Sequence, residues 1–161
     1  MIKINNYTKY FHKGSINEVL ALNAINLDIK EGDFVTVIGS NGAGKSTLLN
    51  SIAGSFFPDE GSVHINQTDV TRWPEYKRAS LISRVFQDPL LGTCPSASIQ
   101  QNLALAYKRG KRRGLRIGVK AKDRIFFKKQ LEKLGLGLED RLLDPVGLLS
   151  GGQRQALTML M

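Results

Sequence analysis

A glycine-rich octapeptide in the first third of the chain combines residue types and spacing that suit phosphate binding. It spans residues 39–46 and fits the pattern G-x-x-x-x-G-K-[ST]. Glycines let backbone N–H groups approach phosphate oxygens without an intervening side chain. Lys45 would hold the β- and γ-phosphates of a nucleotide as a point charge, and the hydroxyl of Ser46 would ligate Mg²⁺. The octapeptide therefore predicts a nucleotide site at Gly39, Ser40, Asn41, Gly42, Ala43, Gly44, Lys45 and Ser46.

The neighbouring elements help to distinguish a phosphate site from a glycine-rich surface turn that happens to carry a lysine. Residues 34–38 are mostly apolar and do not alternate cleanly, which is typical of a fully buried strand in a parallel sheet. Residues 45–53 have apolar side chains at helical spacing, and Gly54 suits the end of a helix. A strand, a turn and a helix in this order favour the phosphate site.

Further strands are predicted by alternating or apolar runs in the first half of the chain. Residues 2–8, 24–30 and 62–66 alternate with the period of two that half-buried strands show. Residues 81–86 are a fourth candidate, which the following Gln-Asp-Pro sequence would end.

The second half of the chain has helical periodicity. One helix is predicted from Ser96 onwards, with Ile99, Leu103, Ala106 and Tyr107 on one face. Another is predicted over residues 123–134, with Phe127, Leu131 and Leu134 aligned. A last helix follows the sequence Leu-Ser-Gly-Gly at 149–152 and runs to Met161 without a cap or a closing glycine, so we expect the sequence to be part of a longer protein.

The composition excludes several classes of protein. The chain has 161 residues, of which 42% are hydrophobic and 23% charged, as in one globular domain. It has no apolar run long enough to span a membrane and no signal-like N-terminus. Cys94 is the only cysteine, which excludes a disulfide scaffold and favours a reducing cytosol.

The net charge of +9 is a local feature. Residues 108–133 contain twelve basic and two acidic side chains, and the rest of the chain is almost neutral. A solvated loop and a binding surface both remain open for the most basic part, residues 108–122. Nucleic acid is a weak third alternative, because this part contains no aromatic side chain on which bases could stack.

Three motifs in this order resemble the nucleotide-binding domain of ATP-binding cassette (ABC) ATPases. They are the phosphate loop, Gln87 after a predicted strand, and the sequence Leu-Ser-Gly-Gly-Gln at 149–153, which is similar to the family's signature. The resemblance implies an α/β fold, with a P-loop NTPase core, an antiparallel β-layer and a helical subdomain, incomplete at the C-terminus. It places the β-layer and phosphate-loop core in residues 1–89, the helical subdomain in 90–150 and the start of the signature helix in 151–161.

The resemblance also assigns roles to single residues. Lys45, Ser46 and Thr47 resemble the phosphate and Mg²⁺ contacts. Gln87 resembles the catalytic glutamine that senses Mg²⁺ and the attacking water. Phe11 resembles the aromatic residue that stacks on adenine, although it could instead be a core aromatic, and Tyr10 is its neighbour.

The signature implies a second nucleotide contact. Ser150, Gly151, Gly152 and Gln153 resemble the residues that meet the ATP bound by a partner subunit. A serine hydroxyl and bare N–H groups at a helix start can form such an anion site, although Ser150 could also be a simple N-cap. The resemblance therefore implies ATP and Mg²⁺ as cofactors and a head-to-tail dimer.

Two catalytic elements of the family have no counterpart in the 161 residues. The sequence contains no run of four apolar residues followed by Asp-Glu, and both histidines, His12 and His64, precede the signature. We therefore expect this chain to bind ATP but to hydrolyse it negligibly.

The resemblance implies the energy-coupling ATPase of a membrane transporter, of the importing kind. Its expected partners are a second ATPase subunit, transmembrane permease subunits and a substrate-binding protein, at the cytoplasmic face of the membrane. There the basic residues 108–122 would face the permease or anionic lipid headgroups. The alternatives are an ABC ATPase that acts on DNA or ribosomes, and a nucleotide-binding fragment without catalysis.

Overall fold

The computed structural model describes residues 1–88, 90–111, 114 and 117–161. The strands are β1 (Ile2–Phe11), β2 (Val19–Ile29), β3 (Glu60–Ile65) and β4 (Thr68–Asp69). The helices are α1 (Lys45–Ala53), α2 (Glu75–Arg78), α3 (Ile99–Tyr107), α4 (Ala121–Glu132) and α5 (Gly151–Leu160), with 3₁₀ turns at Leu138–Asp140 and Val146–Leu148. The chain divides into two compact units, Met1–Ile82 and Ser83–Met161. The three-part division expected from the sequence stays a prediction.

The first unit is built on an antiparallel sheet with the strand order β2-β1-β3-β4. β1 lies between two neighbours, so that Ile4 pairs with both Leu27 and Val63. The strands predicted at 2–8, 24–30 and 62–66 are confirmed, but β1 and β2 are longer than the alternating runs. The β1–β2 register shifts after Ile4, and Asn6 and Ala24 both have positive φ angles, which interrupts the alternation that the prediction used.

The core of this unit lies between the sheet and α1. Its buried residues are Ile4, Tyr7, Leu22, Val63, Ile65 and Val70. Leu48 and Ile52 of α1 pack against this cluster, together with Trp73. The apolar face of α1 thereby fixes the helix against the sheet.

Two predicted strands are wrong. Residues 34–38 and 81–86 belong to no strand in the structure. Phe34 is 93% and Ile38 91% exposed, whereas a strand of a parallel sheet is covered on both faces. A strand exists only where a neighbour accepts its backbone hydrogen bonds, and no strand among the described residues pairs with either segment.

The second unit packs its helices around one apolar cluster. The cluster consists of Ile99, Leu103, Ala104, Phe127, Leu131, Leu138, Val146, Leu149 and Leu157. The three predicted helices are confirmed, and Ile99, Leu103, Phe127 and Leu131 face the core as expected. Tyr107 is 49% exposed and lies against Phe126 with 5.4 Å between ring centroids, so its ring covers the edge of the core.

Candidate functional site

The phosphate loop adopts the tight turn that its glycines predict. Gly42 and Gly44 have φ angles of +83° and +84°, in the left-handed region that other residues rarely enter. The N–H of Ala43 donates to the carbonyl of Ser40 at 3.3 Å, which closes the turn. α1 begins directly afterwards at Lys45. The loop therefore ends at a helix N-terminus, where unpaired N–H groups and the helix dipole favour an anion.

The side chain of Lys45 lies against this loop. Its ammonium group donates to the carbonyls of Gly39 at 2.8 Å and Ser40 at 2.7 Å. Ser46 and Thr47 occupy the first turn of the same helix, and Ser46 is exposed. A positive charge, free helix-start donors and an exposed hydroxyl therefore share one surface, which fits a nucleotide phosphate with Mg²⁺.

The start of α1 is fixed by close packing of backbone against backbone. A Cβ atom on Gly44 would lie 2.7 Å from the carbonyl oxygen of Ala21 in β2 and 3.2 Å from a methyl group of Leu22. Only glycine lets the end of the loop approach the sheet so closely. This packing fixes the position of the first N–H groups of α1 relative to β2.

The end of α1 is fixed by a buried arginine that sequence analysis missed. The guanidinium group of Arg78 is completely buried. It donates to the carbonyls of Ser51 at 2.7 Å and Ile52 at 2.9 Å, both in the last turn of α1. It also donates to Trp73 at 2.9 Å and Thr71 at 3.1 Å. Burial lowers the pKa of Arg78, but its cation meets the negative end of the α1 dipole.

Nothing in the local sequence around Arg78 signals this role. Its acceptors lie up to 27 residues away, and they converge only when α2 packs beside α1. Gly54 allows that approach, because a Cβ atom there would lie 2.9 Å from the Arg78 side chain.

Phe11 lies at the end of β1 with its ring half-buried. The ring meets Phe56 edge-on, with 5.1 Å between centroids. The neighbouring ring of Tyr10 instead lies under the ammonium group of Lys13 at 4.8 Å. Phe11 thus has both a packing partner and an exposed part, and its adenine contact stays a prediction.

Gln87 lies in the second unit, and its side chain is exposed. Asp88 stabilises the next turn, since its carboxylate accepts from the N–H of Leu90 at 2.9 Å. Before Gln87, Arg84 stacks on the ring of Phe86 at 4.5 Å. The proposed catalytic and Mg²⁺ roles of Gln87 are not tested by this local geometry.

The signature residues form the capped start of α5. The hydroxyl of Ser150 accepts from the N–H of Gln153 at 3.2 Å, and the Gln153 side chain accepts from the N–H of Ser150 at 3.2 Å. This is a capping box. Gly151 and Gly152 are exposed, and, chain neighbours and helix backbone apart, no atom of the described residues lies within 4 Å of the place where a Cβ atom would be. Ser150 is an N-cap here, and an anion would have to share its hydroxyl with the helix.

Asn102 is a second positioning residue that sequence analysis missed. It is 1% exposed and holds the turn that precedes α3. Its side chain accepts from the N–H of Cys94 at 2.8 Å and donates to the carbonyls of Cys94 at 3.1 Å and Ser98 at 3.0 Å. A polar residue three positions after Ile99, on the apolar face of the helix, was the signal that could have found it.

The predicted site residues divide between the two units. Phe11 and the phosphate loop belong to the first unit, whereas Gln87 and the signature belong to the second. Part of the basic segment, namely Arg112, Arg113 and Arg116, lies outside the described residues. Within the described part of the chain, no helix is both long enough and apolar enough to cross a membrane.

The phosphate loop at the start of α1, with Lys45 held against it, places this chain in the class of P-loop nucleotide-binding proteins. Residues 22–161 match the ABC transporter family. The chain therefore belongs to the ABC transporter family, and the resemblance seen in its sequence motifs is confirmed.

Similar proteins of known function are longer. The chain is 42% identical over 161 residues to the tyrosine transport ATP-binding protein of Clostridioides difficile, covering all of this chain and 64% of that protein. It is 35% identical over 150 residues to the thiamine import ATP-binding protein ThiQ of Haemophilus influenzae, covering 93% of this chain and 64% of that one. The chain thus spans just under two thirds of the length of these relatives.

Solved structures confirm the fold. A dimeric ATP-binding cassette in a post-hydrolysis state with ADP and Pi is 30% identical, with a TM-score of 0.79. The match covers 99% of this chain and 68% of the cassette. A nucleotide-free cassette from an ABC transporter gives a TM-score of 0.74 at 27% identity, covering 99% of this chain and 63% of that one. The α/β fold expected from the sequence is therefore correct.

Proposed function

We propose that this chain is the ATP-binding, energy-coupling part of an ABC membrane transporter of the importing kind. The observation that carries the proposal is the phosphate loop, with the ammonium group of Lys45 held by two loop carbonyls at the start of α1. The similarity to proteins named for tyrosine transport and thiamine import supports the transport role. The transported substrate stays open, because substrate selection belongs to other subunits in this family.

The proposed chemistry follows from the residue types. The loop N–H groups and Lys45 would hold the β- and γ-phosphates, and Ser46 would supply a hard oxygen ligand for Mg²⁺. Gln87 would supply a second oxygen ligand and orient the attacking water. Bound Mg²⁺ would neutralise charge on the phosphates. Catalysis would then rest on positioning and charge stabilisation rather than on covalent chemistry.

The proposed assembly is a nucleotide sandwich of two cassettes. Ser150 and the exposed residues Gly151 and Gly152 lie at the start of α5, where they would contact the ATP bound by a second copy. In the complete transporter this pair would dock on permease subunits at the cytoplasmic face of the membrane. A substrate-binding protein would be a further partner.

The 161 residues lack the family's Asp-Glu run and the histidine that follows it. We therefore infer that these 161 residues taken alone bind ATP without turning it over, since none of their carboxylates lies in a motif that resembles the one that polarises the attacking water.

The substitution Lys45→Ala tests this function. It removes the charge that faces the phosphates, so we expect ATP affinity to fall by about tenfold to a hundredfold, and nucleotide to be lost during gel filtration. Isothermal titration calorimetry with Mg-ATP measures the affinity, and a phosphate-release assay on the unmodified chain should show no turnover.

Lys30→Ala is the matched control, because Lys30 is an exposed lysine outside the phosphate loop. Its ATP affinity should stay within about twofold of the unmodified protein. Unchanged affinity in Lys45→Ala would overturn the nucleotide site, and turnover at the rate of a complete cassette would overturn the inferred inactivity.

A further inference from the structure

The second unit carries an apolar groove that the proposed ATPase chemistry does not use. The groove has a volume of about 580 Å³, which lies within the range of about 300–1,000 Å³ that is usual for small-molecule sites. α3 contributes Ala104 and Leu105 to its lining, and the segment before α4 contributes Ile117 and Val119. Leu105 is 50% and Ile117 76% exposed, so the groove presents apolar surface to solvent.

The groove lies over the hydrophobic core of its unit. Ala104 belongs to the buried cluster, and Val119 packs against that cluster from the side of the segment before α4. The lining is therefore supported from below by packed side chains. An apolar chain bound in the groove would extend the apolar contacts of the core and bury Leu105 and Ile117 away from water.

Two lysines line the same groove. The ammonium group of Lys108 donates to the carbonyl of Gly118 at 2.6 Å, which ties the end of α3 to the segment before α4. Lys120 is exposed and directly precedes α4. The described residues that line the groove include no acidic side chain, so its only charged lining groups among them are these two cations, although the carboxylate of Asp123 accepts from the N–H of Lys120 at 2.9 Å.

These observations distinguish between classes of ligand. An uncharged apolar ligand would leave the two lysines unused. Nucleic acid would need aromatic platforms, and the described residues that line the groove include none. A ligand with an apolar chain and an anionic head uses both kinds of surface.

We propose that this groove binds an anionic amphiphile, with its apolar chain against Leu105 and Ile117 and its charged head near Lys108 and Lys120. The shared chemistry is a hydrocarbon chain that ends in a carboxylate or a phosphate, whether free in solution or part of a lipid. The proposal goes beyond the proposed ATPase function and does not depend on it, because none of these residues belongs to the nucleotide site.

Binding of dodecanoate below its micelle concentration tests the groove directly. Isothermal titration calorimetry on the full chain should show one saturable site per protein molecule. Octanoate should bind at least about tenfold more weakly, because it buries four fewer methylene groups. Dodecanol should also bind about tenfold more weakly, because it lacks the charge.

Variants of the groove locate the site. The double substitution Lys108→Gln, Lys120→Gln should weaken dodecanoate binding at least about tenfold. Leu105→Asp should do the same by placing a carboxylate beside the chain, and Leu105→Gln is the milder alternative if that variant does not fold. Circular dichroism checks the fold of each variant.

A double substitution on α4 and at its C-terminus is the matched control. Lys129→Gln with Lys133→Gln removes the same charge from exposed positions that do not line the groove. Its dodecanoate affinity should stay within about twofold of the unmodified chain. Equal weakening by the two double variants would overturn the proposal, because binding would then depend only on net charge.

Vesicles distinguish the source of the ligand. Co-sedimentation with phosphatidylcholine vesicles that contain phosphatidylglycerol, lost in the groove variants alone, would identify a lipid headgroup and its chain. Saturable dodecanoate binding without vesicle binding would identify a free amphiphile. Either result supports the groove. Saturable binding of an acidic amphipathic peptide but not of dodecanoate would overturn the proposal in favour of a protein partner.

Discussion

Two glycines in the phosphate loop share a backbone conformation but differ in their surroundings. Gly42 and Gly44 have φ angles of +83° and +84°. A Cβ atom on Gly42 would meet no atom of the described part of the chain within 4 Å, its chain neighbours apart, whereas one on Gly44 would lie 2.7 Å from the carbonyl oxygen of Ala21. Glycine is required at position 42 only by the backbone conformation of the turn. At position 44 it is also required by the close approach of the loop to the sheet.

A comparison of Gly42→Ala with Gly44→Ala distinguishes the requirement of the turn from that of the contact with β2. Both variants should lose about 1 kcal/mol of unfolding free energy through the left-handed backbone. Gly44→Ala should lose about 1–3 kcal/mol more, because its methyl group has to displace backbone. Urea unfolding curves measure the difference. Equal midpoints for the two variants would contradict the close approach of the loop to β2.

At the scale of elements, α1 is held at both ends by contacts outside the helix. Gly44 sets its start against the sheet, and Arg78 donates to carbonyls of its last turn. A shift of α1 along its axis would therefore break contacts at one end or the other. Because both ends are held, the N–H groups at the start of α1 keep a fixed position relative to the sheet.

Arg78→Met should destabilise the first unit by about 3 kcal/mol or more. It removes a donor from four backbone carbonyls, of which, among the described residues, only that of Ser51 keeps another donor, the N–H of Gly54. Each carbonyl left without a donor inside the protein costs about 1–3 kcal/mol before relaxation. Arg78→Lys keeps the charge but not the planar fork, so we expect a smaller loss of about 1–3 kcal/mol. Urea unfolding followed by the fluorescence of Trp73 in the same unit measures both.

The matched control for Arg78→Met is Arg124→Met, at an exposed position of α4. It should change the unfolding free energy by less than about 0.5 kcal/mol. If Arg78→Met unfolded at the same urea concentration as this control, the buried guanidinium group would not hold α1.

Two helices of the second unit begin with the same kind of cap, so that one can serve as a structural control for the other. Ser98 caps α3 and Ser150 caps α5, each with a glutamine three residues later that completes the box. Ser98→Ala and Ser150→Ala should each cost about 1 kcal/mol of unfolding free energy. Only Ser150→Ala should also weaken ATP-dependent dimerisation, measured by analytical ultracentrifugation. A similar effect of both variants on dimerisation would remove Ser150 from the nucleotide contacts.

At the scale of the whole molecule, the first unit presents an apolar segment that no strand covers within the described residues. Phe34 and Ile38 are almost completely exposed, and the backbone between them pairs with none of the strands β1 to β4 that the structure describes. Apolar side chains beside unpaired backbone groups are a template for association with another chain.

Self-association through this segment is testable with charge substitutions. Sedimentation velocity should show concentration-dependent association of the chain, and Phe34→Lys should reduce it strongly. Ile16→Lys is the matched control, because Ile16 is also fully exposed but lies in the loop between β1 and β2. Equal effects of the two substitutions would show that association depends on net charge rather than on residues 34–38.

The sequence correctly predicted those elements whose signals are local. α1 has the predicted bounds, because its two flanking glycines adopt the positive φ angles that start and end it. The capped starts of α3 and α5 are equally local, since each serine bonds a residue three positions away. The phosphate loop could be identified for the same reason, because its chemistry is contained in eight consecutive residues.

Residues 34–38 show where a local pattern fails. Their composition is typical of a buried strand, but a strand depends on a neighbour that the pattern does not contain. Whether this segment forms a strand depends on residues far from it in the sequence, and the prediction was therefore wrong for the described structure.

The sequence by itself thus determined the family, the phosphate loop and the helices around it, because these depend on contacts within a few residues. The tertiary structure alone decided that Arg78 is buried against α1 and that Lys108 and Lys120 share a groove with Leu105. The partners of these side chains come from separate segments that only packing brings together. The local sequence around each residue therefore carries no pattern that predicts the hydrogen bond or the groove.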